Sequence, residues 1–295
     1  MEVVTTRDEL HRLRRELAVS HHDKHFERPL IGLVPTLGAL HAGHRALIER
    51  MAEECDVSIV SVFVNPLQFG AGEDLERYPR TLELDLRVCQ AAGADLVYAP
   101  PVDEVYADGF ATSVAVNKLT ERWCGAGRPG HFQGVTTVVA KLFNACDPDR
   151  AYFGEKDYQQ LRVVERMTRD LEFNVEIVAC PTVRERDGLA ISSRNQYLSA
   201  SERDVAPRLH EALERLAACF SGGVHDVKSL IVEAKHVLDE CRHVQFKLEY
   251  LAVVDPQTLE PRERAEYGDR VLIAASIGST RLIDNLALTG GELAD

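Results

Sequence analysis

No stretch of this 295-residue sequence approaches the roughly 20 consecutive apolar residues that cross a bilayer, the nearest being Val57-Ser-Ile-Val-Ser-Val-Phe-Val64. A membrane-spanning segment is therefore not expected. The first residues include Glu2, Arg7, Asp8, Glu9 and Arg12 in place of the apolar core of a secretory signal, so the expected location is cytoplasmic. Basic charge is also scarce. Lys and Arg total 34 against 47 Asp and Glu, a net charge of −13, and that balance argues against a nucleic-acid partner, which needs a broad cationic surface. A small anionic ligand needs only a local cluster and stays open. The seven cysteines are dispersed, odd in number and without a CxxC pair, which excludes a zinc knuckle or a disulfide framework and suggests buried thiols. Low-complexity segments, internal repeats and long linkers are missing as well. A composition of 45% hydrophobic and 27% charged residues belongs to a soluble globular chain long enough for one large domain or two ordinary ones.

Up to about residue 180, short runs rich in Val and Ile alternate with helical patterns, the layout of a parallel sheet covered by helices. Strands are expected at Leu30–Val34, Val57–Val64, Leu96–Ala99, Ala151–Phe153 and Val175–Ala179. Helices are expected at about His44–Glu54, Thr81–Ala92, Val135–Cys146 and Gln159–Leu171. Beyond about 182 the pattern changes. Ser199-Ala-Ser-Glu202 has capping-box spacing and opens a helix with Val205, Leu209, Leu213, Leu216 and Phe220 at helical intervals. A second helix follows Gly222-Gly223, and strands are expected at Phe246–Val254, Arg270–Ala275 and Arg281–Leu286. The fold class is thus α/β, a parallel-sheet domain over 1–182 followed by a smaller α+β domain over 183–295.

Five segments carry candidate chemistry. Val34-Pro35-Thr36-Leu37-Gly38-Ala39-Leu40-His41-Ala42-Gly43-His44 leaves the first core strand and enters a helix, where backbone N–H groups and the helix dipole attract an anion. His41 and His44, three apart, lie on one side of that helix start. In the second segment, Asn65-Pro66-Leu67-Gln68-Phe69-Gly70, Gln68 offers an amide to a polar substrate or is an ordinary loop residue. Downstream of it, Asp85 either faces solvent or helps to hold Mg²⁺. A third, Gly125-Ala-Gly127-Arg128-Pro129-Gly130-His131, is a close-approach loop in which Arg128 and His131 meet an anion, or a surface loop with incidental charge. The fourth is Gly154-Glu155-Lys156-Asp157, followed by Gln159-Gln160. Lys156 beside a helix start suits a triphosphate, while Asp157 could orient a ribose, magnesium or Lys156 itself. In the fifth, which runs from Val183 to Ile191-Ser192-Ser193-Arg194, two hydroxyls and a guanidinium make a plausible phosphate clamp. Outside these, His21, His22 and His25 beside Asp23 read as a solvated loop in preference to a metal site.

The Thr36-x-Gly38 and His41-x-Gly43-His44 elements resemble the T/HxGH motif of nucleotidyltransferases. Together the five segments closely resemble the pantothenate synthetase (pantoate–β-alanine ligase) family over about residues 31–200. The resemblance implies ATP-dependent condensation of pantoate with β-alanine through a pantoyl adenylate, a Rossmann-like N-terminal domain, a smaller C-terminal domain acting as a lid, and a homodimer. It also implies that Val34, Pro35, Thr36, Leu37, Gly38, Ala39, Leu40 and His41 contact ATP, together with Gly154, Glu155, Lys156, Asp157, Val183, Ile191, Ser192, Ser193 and Arg194. His41 takes the proton-donor role, with His44 beside the phosphates. Lys156, Ser192, Ser193, Arg194 and Mg²⁺ offset charge, and Gln68 and Gln160 hold pantoate. Leu37 and Ile191 stand where the family often has Met, and Ala42 where Glu is frequent. Two rival readings remain: a nucleotidyltransferase with another acceptor, which leaves Gln68 and Gln160 unexplained, and a nucleotide-binding regulatory module without turnover.

Overall fold

Strands of an all-parallel sheet are covered on both faces, so they appear in sequence as unbroken apolar runs. A computed structural model, which describes residues 1–25, 28–70 and 72–289, has these runs as parallel strands interleaved with helices. In chain order they are β1 (Glu2–Val4), α1 (Arg7–His25), β2 (Ile31–Thr36), α2 (Ala42–Glu54), β3 (Val57–Val62), α3 (Leu82–Ala91) and β4 (Leu96–Tyr98). Two single-turn helices follow, α4 (Val102–Val105) and α5 (Cys124–Gly127), then α6 (His131–Cys146), β5 (Arg150–Gly154), α7 (Tyr158–Asp170) and β6 (Glu176–Cys180). The sheet order is β1-β4-β3-β2-β5-β6 with every pairing parallel. From β2 the chain moves outward through β3 to β4, then returns to place β5 on the other side of β2. That reversal sets a topological switch point beyond the carboxyl ends of β2 and β5, the usual ligand crevice of such sheets. Val34, Ile48, Met51, Val60, Val97 and Tyr152 are among the residues of the core between this sheet and its helices.

The rest of the chain forms α8 (Ala200–Val205), α9 (Arg208–Ser221), α10 (Val227–Leu238) and an antiparallel sheet, β7 (Phe246–Val254), β8 (Arg270–Ile277) and β9 (Thr280–Ala287), in the order β7-β8-β9. Its own core gathers Leu209, Leu213, Leu216, Phe220, Leu230, Val253, Ile273 and Leu282. The helix expected to run unbroken from Ser199 is divided by Pro207, which has no N–H to continue the ladder. The chain separates into two compact units, Met1–Gly154 with Gln159–Pro181, and Glu155–Tyr158 with Thr182–Asp295. The Lys156 turn therefore belongs with the second unit, whereas the sequence boundary at 182/183 leaves it in the first.

β1 and α1 are elements that the sequence reading leaves out. The segment read as a loop at His21, His22 and His25 is helical backbone up to His25, and the side chains of this cluster lie outside the described residues. None of the seven cysteines is in a disulfide. Burial pushes the thiols of Cys89 and Cys146 up to about 12, so neither is a nucleophile near neutral pH. Among the described residues no helix is long and apolar enough to cross a membrane.

Leu213 is fully enclosed in the second core. Leu213→Ala is expected to lower stability by about 2–5 kcal/mol, seen as a lower urea midpoint at unchanged slope, and a loss below about 1 kcal/mol would contradict this packing.

Candidate functional site

β2 delivers the chain to the switch point, and the turn after it is held by four specific contacts. Thr36 Oγ1 donates to the Ser61 carbonyl at 2.7 Å and accepts from the Gly38 N–H at 3.1 Å. Gly38 has φ +82°, and a Cβ there would meet Asp85 Oδ2 at 3.0 Å, so both conformation and space call for glycine. Ala39 also has positive φ, at 51°. The Asp85 carboxylate accepts the N–H groups of Ala39 at 3.1 Å and Leu40 at 2.8 Å, and Thr81 Oγ1 lies 3.4 Å from each oxygen. Asp85 is 2% exposed. Of the two expectations for Asp85, the solvent-facing one is corrected by its burial; its oxygens face backbone donors, and in this geometry it shapes the turn.

His41 caps α2. Its Nδ1 accepts the Gly43 N–H at 3.1 Å, and His44 Nδ1 accepts the His41 N–H at 3.4 Å. The rings stack with centroids 4.0 Å apart. Because both Nδ1 atoms act as acceptors, each neutral ring carries its proton on Nε2. Two imidazole N–H donors thus stand at a helix N-terminus, where the dipole already favours an anion.

The strand-end loop of Gln68 is fixed by its neighbours. Asn65 is fully buried: its Oδ1 accepts from the Leu67 N–H at 3.2 Å and the Tyr106 hydroxyl at 2.8 Å, while its Nδ2 donates to Gln68 Oε1 at 3.1 Å and the Gly134 carbonyl at 3.0 Å. A Cβ on Gly134 would stand 2.2 Å from the Leu67 carbonyl oxygen, so α6 approaches this loop only through glycine. Arg128 and His131, open in sequence to an anionic ligand, are engaged in the protein itself. Arg128 forms a two-pronged pair with Glu73, both contacts 2.7 Å, and its Nη1 lies 2.9 Å from His131 Nε2. His131 Nδ1 donates to the Gln68 carbonyl at 2.8 Å. A carbonyl on one side and a guanidinium on the other define a neutral ring with its proton on Nδ1. The Arg128 hydrogen bond also holds the Glu73 carboxyl below the ordinary carboxylate range. In the Gln159-Gln160 pair, Gln159 is structural. Its amide donates to the carbonyls of Leu119 and Arg122 and accepts from the Cys124 N–H, whereas Gln160 is half-buried at the start of α7.

In the second unit Lys156 Nζ is 3.8 Å from Asp157 Oδ2, and its side chain is 20% exposed. The fifth segment folds back on itself: Ile191 N–H donates to the Val183 carbonyl at 3.0 Å, and Arg184 and Ala190 form an antiparallel bridge. Ser192 Oγ accepts from the Arg194 N–H at 3.3 Å, so Ser192, Ser193 and Arg194 lie on a 3₁₀ turn beyond that strap. The structural partners Asn65, Gln159 and Tyr106 are missing from the sequence-based candidate set. Only Asn65 carries a local signal, an Asn-Pro pair of the kind that caps a turn.

A parallel sheet with imidazole donors on a helix start at its switch point defines a nucleotide-binding α/β protein. The family model of pantoate–β-alanine ligase matches residues 2–287. The pantothenate synthetase of Rubrobacter xylanophilus is 55% identical over 273 residues, which cover 89% of this chain and 92% of that one. A crystal structure of pantothenate synthetase from Thermus thermophilus superposes with a TM-score of 0.89 at 50% identity, covering 98% of this chain and 100% of that one. The pantoate–β-alanine ligase of Francisella tularensis, solved with βγ-ATP and β-alanine, superposes with a TM-score of 0.79 at 31% identity over 99% of each chain. The chain belongs to the pantoate–β-alanine ligase family, whose members are amide-forming ligases.

The turn should loosen without its carboxylate. In Asp85→Ala, hydrogen exchange at the amides of Ala39 and Leu40 is expected to accelerate about tenfold or more, since a hydrogen bond to a charged group contributes about 1.5–3 kcal/mol. Unchanged protection at both amides in an NMR exchange measurement would refute the role given to Asp85.

Proposed function

We propose that this chain joins pantoate to β-alanine at the expense of ATP, giving pantothenate, AMP and pyrophosphate. In the first step a pantoate carboxylate oxygen attacks the α-phosphorus, the Pα–O–Pβ bond breaks, and pyrophosphate leaves with the electron pair. In the second, the β-alanine amine attacks the acyl carbon of pantoyl adenylate, the C–O bond to AMP breaks, and the amine loses a proton. The observation that supports this best is the paired His41/His44 arrangement, with both Nδ1 atoms tied to backbone N–H groups in a chain of this family.

The segment Val34 to His41 cradles the nucleotide. Its glycine lets the backbone come close, and the Nε2 protons of His41 and His44 meet phosphate oxygens as their charge grows, a stabilisation that is strongest in the transition state. Gln68 and Gln160 are assigned to the hydroxyl and carboxylate oxygens of pantoate. Gly154, Glu155, Lys156, Asp157, Val183 and Ile191 complete the nucleotide contacts, and Lys156, Ser192, Ser193 and Arg194 counter the charge of departing pyrophosphate. Magnesium, when bound with the triphosphate, would supply further neutralisation of the developing charge. Asp157, with about half of its side chain exposed at 48%, is chemically suited to hold that ion, whereas the Asp85 oxygens already accept backbone N–H groups. A lid role for the second unit and a homodimer, which rest on the family resemblance, and a cytoplasmic location, which rests on the charged N-terminal residues, belong to the same proposal.

Purified protein given ATP, Mg²⁺ and pantoate is expected to release pyrophosphate, with AMP and pantothenate appearing once β-alanine is added. His41→Ala and Lys156→Ala should each lower that turnover by about 10²–10³-fold, the usual effect of removing one charge-stabilising donor, with folding retained. Tight ATP binding without pantoate-dependent turnover would instead favour a regulatory module, and an undiminished rate in either variant would remove that residue from the mechanism.

A further inference from the structure

Two consecutive residues of β9, outside every segment assigned above, hold the two cationic elements of the second unit. Neighbouring strand residues face opposite sides of a sheet, and here both side chains are buried, Asp284 at 5% and Asn285 at 3% exposure. Asp284 receives both terminal nitrogens of Arg184, at 2.6 and 2.9 Å, and His210 Nδ1 lies 3.6 Å away. Arg184 Nη1 also donates to the Gly188 carbonyl at 3.0 Å, which closes the strap ahead of Ser192, Ser193 and Arg194. Asn195 Nδ2 then ties the 3₁₀ turn back to that strap through the Ala190 carbonyl at 3.1 Å.

Asn285 does the corresponding work for the other element. Its Nδ2 donates to the carbonyls of Glu155 at 2.8 Å and Lys156 at 3.0 Å, while its Oδ1 accepts from Arg270 Nε at 2.7 Å. Arg270 in turn reaches Glu155 Oε2 at 2.8 Å and lies over the Tyr158 ring at 4.2 Å. β9 packs against both the Glu155–Asp157 turn and the Ser193–Tyr197 turn. Lys156 and Arg194 are 38 residues apart in sequence and both sit on short 3₁₀ turns, yet one strand fixes the segments that carry them.

We propose that Asp284 and Asn285 are positioning residues for adenylation, setting Lys156 and the Ser192–Arg194 turn in mutual register for the triphosphate. The inference rests on the function proposed above. An amide is required at 285 because one N–H₂ serves two carbonyls while the oxygen serves a guanidinium. Asn285→Asp keeps the shape and the Arg270 contact but sets a carboxylate oxygen against two carbonyl oxygens. Asp284→Asn keeps the shape while removing the charge that pairs Arg184.

The test separates the half-reactions. Adenylation is read as pantoate-dependent pyrophosphate release, and aminolysis as pantothenate formed from supplied pantoyl adenylate and β-alanine, a step in which no pyrophosphate departs. In Asn285→Asp and Asp284→Asn, adenylation is expected to fall about a hundredfold, as for a displaced reacting group, while aminolysis stays within about twofold of the unaltered chain. Equal loss in both half-reactions would mark a merely structural role, and loss in neither, or in aminolysis alone, would equally overturn the proposal. Should an isostere fail to fold, Asn285→Ala and Asp284→Ser are read against the same criteria. Absence of pantoate-dependent pyrophosphate release in the unaltered chain would be failure of the underlying function instead.

Discussion

The nucleotide cradle proposed for the first unit depends on one carboxylate buried beneath a turn. Between β2 and α2 the chain must leave a parallel strand, reverse and begin a helix within a few residues, and it does so through two left-handed conformations, at Gly38 and Ala39. The second of these is unfavourable for a residue with a Cβ by roughly 1–2 kcal/mol, and the N–H groups it turns inward would be costly to bury alone. Asp85 accepts those of Ala39 and Leu40 and so makes the turn the stable choice. The position of His41 as the α2 cap, and through it that of His44, follows from where this turn ends.

The same economy recurs around the Gln68 loop. Charged side chains that look in sequence like ligand-binding groups are committed to protein backbone and to each other: Arg128 to Glu73 and His131, and His131 to the Gln68 carbonyl. An anion meeting Arg128 would have to displace Glu73 from a two-pronged ion pair. The consequence is a loop whose backbone is set before any substrate arrives, which lowers the ordering cost of binding.

The strands of the first sheet were readable because burial on both faces forces continuous apolar runs, and the five core strands expected there lie within two residues of where they fall. β1 is three residues long and offers no period to detect. The start of α1 did carry a signal, since Thr6 and Glu9 form a reciprocal cap, Thr6 Oγ1 with the Glu9 N–H and Glu9 Oε2 with the Thr6 N–H. It was masked by the polar composition of the helix that follows. In the site, the glycine turn and its histidines were legible because backbone approach to an anion restricts which residues serve there. The contacts of Asp85, His131 and Gln159 are not legible in the sequence because their partners lie 45, 63 and 40 residues away, at Leu40, Gln68 and Leu119, and local patterns carry nothing about such distant contacts.

The Arg184–Asp284 pair, its carboxylate buried and its guanidinium half-buried, shows why charge is retained where apolar packing would serve stability as well. Desolvating two ions commonly offsets most of their attraction, so a well-packed hydrophobic pair would be no less stable. An apolar side chain at 184, however, could not hold the Gly188 carbonyl, and one at 284 could not align a planar guanidinium by both nitrogens. What the ion pair adds is direction. It selects one conformation of a strap rich in polar backbone, and the phosphate clamp proposed beyond that strap requires such selectivity more than additional stability. The neighbouring Asn285 follows the same logic with a neutral group: two carbonyls and one guanidinium are satisfied by a single amide, a combination that no apolar or acidic residue of that size reproduces.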